Sequence, residues 1–479
     1  MTRDSSLSAL HTLAPESGLA FTKATSLPEV LAATRVEPLV PGDPRHTDLT
    51  PGLGSTVLDR FRTMLRRTAD GPRGSFARVA FTGHPGCGKT TALYQLEREL
   101  QDDYISLHVE ADRSLLDDYD YTYLFLYVAE AVVDHFETVR RQPLPAHQVA
   151  GVVRWFADVT SEVEEVVKKE VVLQAEAGGG TDLAWCGLRA KLFSQLKSIL
   201  KGDRTARRTI KQQWQRRHQE LIRALNALLD EVHRRFEEYG DSRRLLLVAD
   251  NLEKLSPGAW DPFFFDSADQ LNAPRLDIIY TVPVAVSLSP RNIQQVFPVA
   301  LAMPTVRLVT IGGVRVESGI QVLMDVLEHR MQVATIFEER GVAEYLCRMS
   351  GGSVRDLLML VQGAVSHVPA DVKQIGPPHA SGAVRELRLH FERLLSMQPG
   401  AYPFLARLHS TRRPWFAGTG AAVTADDAEL FRALLANGLI LEYNGGESWY
   451  DVHPVVREIR FFKEALLDVA RTATPPGRS

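Results

Sequence analysis

The stretch Phe81-Thr82-Gly83-His84-Pro85-Gly86-Cys87-Gly88-Lys89-Thr90-Thr91 carries the clearest chemistry in the chain. It reads G-x-x-x-x-G-K-T, the spacing of a phosphate-binding loop, or P-loop. Gly83, Gly86 and Gly88 let the backbone curl until successive N–H groups face inward as an anion nest. The positive end of the following helix reinforces them. Lys89 is placed to reach β- and γ-phosphates, and the Thr90 hydroxyl to ligate Mg²⁺. The apolar run Ala77 to Phe81 before the loop reads as a strand. Leu93, Leu96 and Leu100 after it keep helical spacing. The residues predicted to surround a nucleoside triphosphate are therefore Gly83, His84, Pro85, Gly86, Cys87, Gly88, Lys89, Thr90 and Thr91.

A second acidic site belongs with this loop. The run Leu245-Leu246-Leu247-Val248-Ala249 closes on Asp250-Asn251-Leu252-Glu253-Lys254-Leu255, which is the Walker B pattern. A continuous apolar strand is buried on both faces of a parallel sheet, and its C-terminal end opens on the ligand crevice. Asp250 would there hold Mg²⁺ beside Thr90. Another strand, Leu276 to Val282, ends near Thr281, whose hydroxyl would face the γ-phosphate; a β-branched strand residue with no further role is the plain alternative. Arg355 opens a helix after Ser350-Gly351-Gly352-Ser353, against the dipole preference for acidic residues. That position suits an arginine that meets an anion. Arg291 is read as a surface arginine rather than a finger toward a neighbouring subunit, and Arg45, His46 and Asp48 as a solvated loop rather than base contacts.

The elements that position these residues follow from periodicity. A helix from about Ser55 to Thr68 leads into the loop strand, Tyr104 to Val109 alternates as a second strand, and Thr305 to Val309 is predicted as a fifth. Between about 112 and 240 the chain is helical, broken at Gly178-Gly179-Gly180, with stripes at Val159, Val163, Val166 and Val167 and at Leu221, Leu225, Leu228, Leu229 and Val232. This insertion carries a basic run, Arg189, Lys191, Lys197, Lys201, Arg204, Arg207, Arg208, Lys211, Arg216 and Arg217. It reads as a solvated face or partner contact in preference to a nucleic-acid patch, since Trp214 alone stands near its middle. From Glu317 to Val368 the pattern is helical. Beyond a linker with Pro369, Pro377 and Pro378, helices precede an Asn444-Gly445 turn between alternating runs, a hairpin signal. Helices followed by such a hairpin look like a winged helix. The predicted organisation is a loosely ordered leader (1–50), an α/β core with a parallel sheet (51–311), a helical lid (312–370) and a winged-helix-like domain (385–471).

Composition narrows the setting. The 479 residues allow about two or three domains. Hydrophobic content of 45%, charged content of 24% and net charge −4 fit a soluble globular chain with no general pull toward nucleic acid. Cys87, Cys186 and Cys347 are too few and scattered for a disulfide framework or zinc site. With no apolar run of membrane length and no signal peptide in the N-terminal pattern, the expected place is the cytoplasm and no membrane partner is expected.

Together these motifs resemble the AAA+ and STAND group of P-loop ATPases, over roughly Ala77 to Val368 and, with the winged-helix-like unit, to about Arg471. The segment Asp250, Leu252, Glu253, Lys254 is also similar to the Walker B string of KAP-type ATPases, and Gly351-Gly352-Ser353-Val354-Arg355 resembles the sensor-2 region of origin-recognition-type ATPases. The resemblance implies a P-loop NTPase fold, ATP and Mg²⁺ as ligands, and hydrolysis by a switch that couples nucleotide state to a protein partner or self-assembly. It implies catalytic roles for Lys89, Asp250, Glu253, Thr281 and Arg355, and metal ligation by Thr90 and Asp250. Asn251 departs from the family, which has an acid there that polarises the attacking water. An asparagine amide cannot accept a proton, which leaves either Glu253 in that role or slow turnover. The rival readings are a DNA-binding ATPase of origin-recognition or transposition-helper type, using the basic run at 189–217, and a nucleotide-bound scaffold that barely hydrolyses.

Overall fold

The computed structural model describes residues 21–136, 144, 149, 151–152, 155–156, 212, 214, 216–413, 424–444 and 448–473. The glycine break, the first apolar stripe of the insertion and the basic run from Arg189 to Lys211 lie outside the described residues.

Five strands form one parallel sheet: β1 (Arg78–Gly83), β2 (Tyr104–Glu110), β3 (Arg244–Asp250), β4 (Asp277–Val282) and β5 (Val299–Met303), in spatial order β2-β3-β4-β1-β5. β3 is buried at every position, as its unbroken apolar run requires. Its side chains divide between two cores. Leu246 and Val248 join Val79 and Phe81 on one face, under the helix Lys89–Glu99 and the helix Val57–Ala69. Leu245, Leu247 and Ala249 join Ile278 and Tyr280 on the other. There the predicted stripe Leu221, Leu225, Leu228, Leu229 and Val232, on the helix His218–Glu238, packs with the helix Tyr121–Asp134. These two helices are the roots of the insertion. Because both register pairs run parallel, Glu110 ends opposite Asp250 and Phe81 lies opposite Thr281, so the chemistry collects at one edge of the sheet.

The fifth strand is Val299–Met303, not Thr305 to Val309. Pro304 follows it and has no N–H to offer a ladder, and the Thr305 N–H bonds instead to the carbonyl of Glu442. The leader also differs from expectation from residue 21 onward. Val30 and Ala33, on the helix Leu27–Ala33, enter the core, and the Leu39 N–H donates to Thr91 Oγ1 at 3.1 Å. The expected proline linker is shorter than read: Pro369 lies in the non-helical stretch 367–376, while the other two prolines belong to a helix. Pro377 and Pro378 open the helix Pro377–Ser396, where the absent N–H is no loss and the fixed φ suits the first turn.

The lid comprises the helices Glu317–Glu328, Arg340–Met349 and Val354–Ser366. The C-terminal unit adds Ala401–Thr411, Ala425–Ala436, the hairpin β6 (Ile440–Asn444) and β7 (Ser448–Val452), and Arg460–Ala473. Val361 and Ala364 of the lid share one core with Ala380, Val384, Leu405, Ile440 and Val455. No helix among the described residues is long and apolar enough to cross a membrane.

Candidate functional site

The loop between β1 and the helix Lys89–Glu99 has the predicted curl. Gly86 has φ +84°, and a Cβ there would collide with the Cβ of Arg355. Only glycine allows that approach. Lys89 Nζ donates to the carbonyls of Gly83 and His84, both at 3.0 Å. Thr90 Oγ1 donates to Asp250 Oδ2 at 2.7 Å. Asp250 ends β3 with no exposure, and its Oδ1 is buried with no hydrogen-bond partner among the described residues. A hydroxyl beside a carboxylate with a spare oxygen is the hard-oxygen donor set that suits Mg²⁺.

Behind Asp250 stands His108 of β2. Its Nε2 lies 3.6 Å from Asp250 Oδ2 and its Nδ1 2.6 Å from Glu97 Oε1. Burial pushes the imidazole toward neutrality, but the Asp250 and Glu97 carboxylates outweigh it and raise its pKa to about 10. Burial likewise opposes charge on Asp250, and the His108 imidazolium and Thr90 hydroxyl overcome it, holding the carboxyl at about 2. Asp250 is thus kept ionised and fixed in orientation by a buried His–Glu pair.

A cavity of about 610 Å³ opens in front of these groups. Gly86, Gly88, Lys89, Thr90 and Thr91 line one wall, and Arg355 comes from the lid. Glu253 also lines it, with Oε2 buried and without a hydrogen-bond partner among the described residues. Arg45, His46 and Asp48 line the far end with Leu39 and Leu49, so the segment read as a solvated loop is a cavity wall. Arg45 is held there by Asp43 and Glu37.

Several predicted site residues stand elsewhere. Thr281 is fully buried and does not line the cavity. Its Oγ1 donates to the Ala249 carbonyl at 3.3 Å and accepts from Leu252 N at 3.1 Å. It pins the turn after β3. Cys87 faces the core, where burial pushes its thiol pKa up. Asn251 takes the left-handed conformation at φ +63°, which asparagine tolerates. Its Nδ2 donates to Glu110 Oε2 at 2.8 Å and its Oδ1 accepts from Lys254 Nζ. Arg291 pairs with Asp266 at 2.8 Å, outside the cavity.

His84 turns away from the cavity toward the C-terminal unit. Its Nε2 accepts the N–H of Glu442 in β6 at 2.7 Å, so the ring is neutral. Burial, then the nearby Lys89 charge, depresses its pKa to about 3. The Glu442 carbonyl accepts from Thr305 Oγ1 at 2.8 Å, and Tyr443 Oη donates to the Gly351 carbonyl at 2.6 Å. A Cβ on Gly351, at φ +64°, would strike Leu441. On the lid side, the Arg355 N–H donates to the Gly86 carbonyl at 3.3 Å, and Ser353 caps that helix through the Asp356 N–H at 3.2 Å. The loop is thus bonded to the lid through Gly86 and to the hairpin through His84.

Sequence reading missed His108, Glu97, Glu110 and Arg113, the last of which also lines the cavity. His108 and Glu110 lie on β2, Glu97 on the helix Lys89–Glu99 and Arg113 in the turn after β2, and no local pattern on these elements shows what the neighbouring strand carries.

No protein-family model matches the chain, and no curated protein matches it. Solved structures similar to it include Cdc6p from Pyrobaculum aerophilum, at 12% identity over 91% of this chain and 98% of that one, with a TM-score of 0.39. A Walker-type ATPase of Pyrococcus abyssi is 12% identical over 88% and 98%, with a TM-score of 0.37. RuvB of Thermotoga maritima is 12% identical over 87% and 97%, with a TM-score of 0.33. Such distant likeness carries no argument about activity. The P-loop fold of this chain stands on its own strand order and loop geometry.

Proposed function

We propose that the protein is an ATP-binding and ATP-hydrolysing switch of AAA+/STAND type, in which the nucleotide at the P-loop sets the position of the lid and of a winged-helix-like C-terminal unit. One observation carries this reading: the loop shaped to cradle phosphates is itself bonded to the lid at Gly86 and to the hairpin at His84. A loop that rearranges around phosphates must strain or release both contacts.

In this reading the nest of Gly83 to Thr91 and Lys89 bind the triphosphate. Thr90 and Asp250 hold Mg²⁺, which neutralises developing charge on the phosphates. The buried Asp250 Oδ1 and the Thr90–Asp250 contact fit that ion. Glu253 takes the proton of the attacking water, a role supported by its place in the cavity lining while the Asn251 amide is tied to Glu110 and Lys254. Arg355 meets the γ-phosphate from the lid. Thr281 supports Glu253 at one remove, through the Leu252 N–H.

The test is ATP affinity and steady-state turnover of the full chain, with Lys89→Ala and Glu253→Gln beside it. Loss of nucleotide affinity in Lys89→Ala, with turnover lost and affinity kept in Glu253→Gln, is the expected pattern. Tight ATP binding by Lys89→Ala removes the P-loop assignment. The engaged Asn251 favours one second reading, a scaffold that holds nucleotide and barely hydrolyses. Tight binding with no turnover in the wild type would select it.

A further inference from the structure

The cavity contains more fixed positive charge than the P-loop alone requires, and most of it is already committed. Arg45 is paired with Glu37 and Asp43, and Arg62 with Asp59 and Glu99. Arg330 donates to the carbonyls of Arg45 and Val326. Lys89 is bonded to its own loop and Lys254 to Asn251. Two guanidinium groups on the wall form no hydrogen bond or ion pair among the described residues: Arg355, on the lid, and Arg113.

Arg113 opens a short turn, Arg113–Leu115, between β2 and the helix Tyr121–Asp134. The turn is fixed. Leu115 is fully buried in the core behind the sheet, and Asp112 caps it by accepting from Ser114 N at 2.9 Å and Ser114 Oγ at 2.7 Å. The neighbouring carboxylate is therefore engaged with the turn rather than with the guanidinium. β2 and β3 end in register, Glu110 opposite Asp250, so the turn after β2 shares its wall with Glu253 and Lys254. Arg113 stands on the metal-aspartate side of the cavity and Arg355 on the lid side.

We propose that Arg113 binds the terminal phosphate of the nucleotide opposite Arg355 and thereby ties the root of the helical insertion to nucleotide state, an inference that rests on the reading of this site as a nucleotide site. A guanidinium suits the task because it stays charged and can grip two phosphate oxygens at once. A diphosphate lacks the phosphate that this grip requires. The helix Tyr121–Asp134 begins a few residues beyond Arg113, so gripping the phosphate also restrains the start of the insertion.

The experiment compares Mg·ATP and Mg·ADP affinities of the full chain in the wild type, Arg113→Ala, Arg113→Lys and Lys89→Ala by calorimetry, with amide exchange over 121–134 in each nucleotide. In Arg113→Ala, ATP affinity should fall about tenfold or more while ADP affinity is unchanged. Arg113→Lys should recover part of the loss, and the ATP-dependent protection of 121–134 should vanish in Arg113→Ala. Equal ATP affinity in Arg113→Ala and wild type overturns the inference, as does an equal loss for both nucleotides. If Lys89→Ala loses both nucleotides while Arg113→Ala loses neither, the site reading stands and the role of Arg113 falls. If the wild type binds neither nucleotide, both fall.

Discussion

Asp250 shows how much of a site one carboxylate can organise when its neighbours are buried. Thr90 holds one oxygen, His108 and Glu97 stand behind it, and the second oxygen has no hydrogen-bond partner among the described residues. The base proposed above stands two residues beyond the usual position: Asn251 is bonded between Glu110 and Lys254, and Glu253 lines the cavity. Glu253→Gln should lower turnover about 10²–10⁴-fold, the usual worth of a general base, with ATP affinity kept in a binding assay. Unchanged turnover would move the role to another group. The loop residues were legible because their spacing is local and each glycine serves a nearby backbone need. Thr281 was legible as a strand residue only. Where its hydroxyl points is decided by Ala249 on the adjacent strand and Leu252 in the turn after it, which no local pattern encodes. Glu97 and His108 are close in sequence, yet their value comes from Asp250, far along the chain.

Among the elements, the C-terminal hairpin was read correctly from its Asn-Gly turn and alternating flanks, since turn chemistry and period both act within a few residues. The fifth strand was misread because Val299–Met303 has little β-branching and Thr305 to Val309 has more. Pro304 and the Glu442 carbonyl settled the matter through tertiary contact. What holds the hairpin to its helices is a buried carboxylate. Asp451 is fully buried and bonds His409 at 2.6 Å, Arg457 at 2.9 Å and Arg412 at 3.1 Å. Burial opposes its charge, and the His409 hydrogen bond with the two arginines more than compensates, so its pKa is lowered. A lowered carboxylate contributes stability that is present above the unfolded value of 3.8 and is lost as pH falls through the folded value. Asp451→Asn should destabilise the protein by about 2 kcal/mol near neutral pH, because it removes the charge that the half-buried His409, Arg412 and Arg457 share. Denaturant unfolding should also show less loss of stability on acidification below about pH 4 in the variant than in the wild type. Parallel acid profiles would place the acid sensitivity elsewhere.

Across the molecule, the sheet divides two cores. The lid and C-terminal unit share the face of the P-loop helix, and the roots of the insertion occupy the other face. At the edge where the strands end, the loop, Arg355 and Arg113 line one cavity, and His84 leaves that loop toward the hairpin. The parallel sheet was legible in outline, but its contacts were not: Pro377 and Pro378, read as linker, open a helix, and nothing in the sequence ties residue 84 to residue 442. His84 must stay neutral to accept from Glu442, with Lys89, Asp356 and His453 the ionisable groups around it. Its pKa is lowered from 6.5 to about 3, so the unfolded chain binds a proton that the folded one does not, and its share of stability falls as pH drops from 6.5 toward 3. His84→Ala should speed amide exchange at Glu442 while the amides of β1 keep their protection. Equal exchange at Glu442 in both proteins would mean that the bond carries no weight. The bond has one more consequence. β6 is paired with β7 on one side only, and its other side is occupied at Glu442 by His84 and Thr305, one on each backbone group. Swinging the hairpin off the loop uncovers a free strand edge, and such an edge is a template for another chain. The His84–Glu442 contact therefore also covers that edge, and loosening it by mutation or by acid should show first as turbidity in concentrated samples.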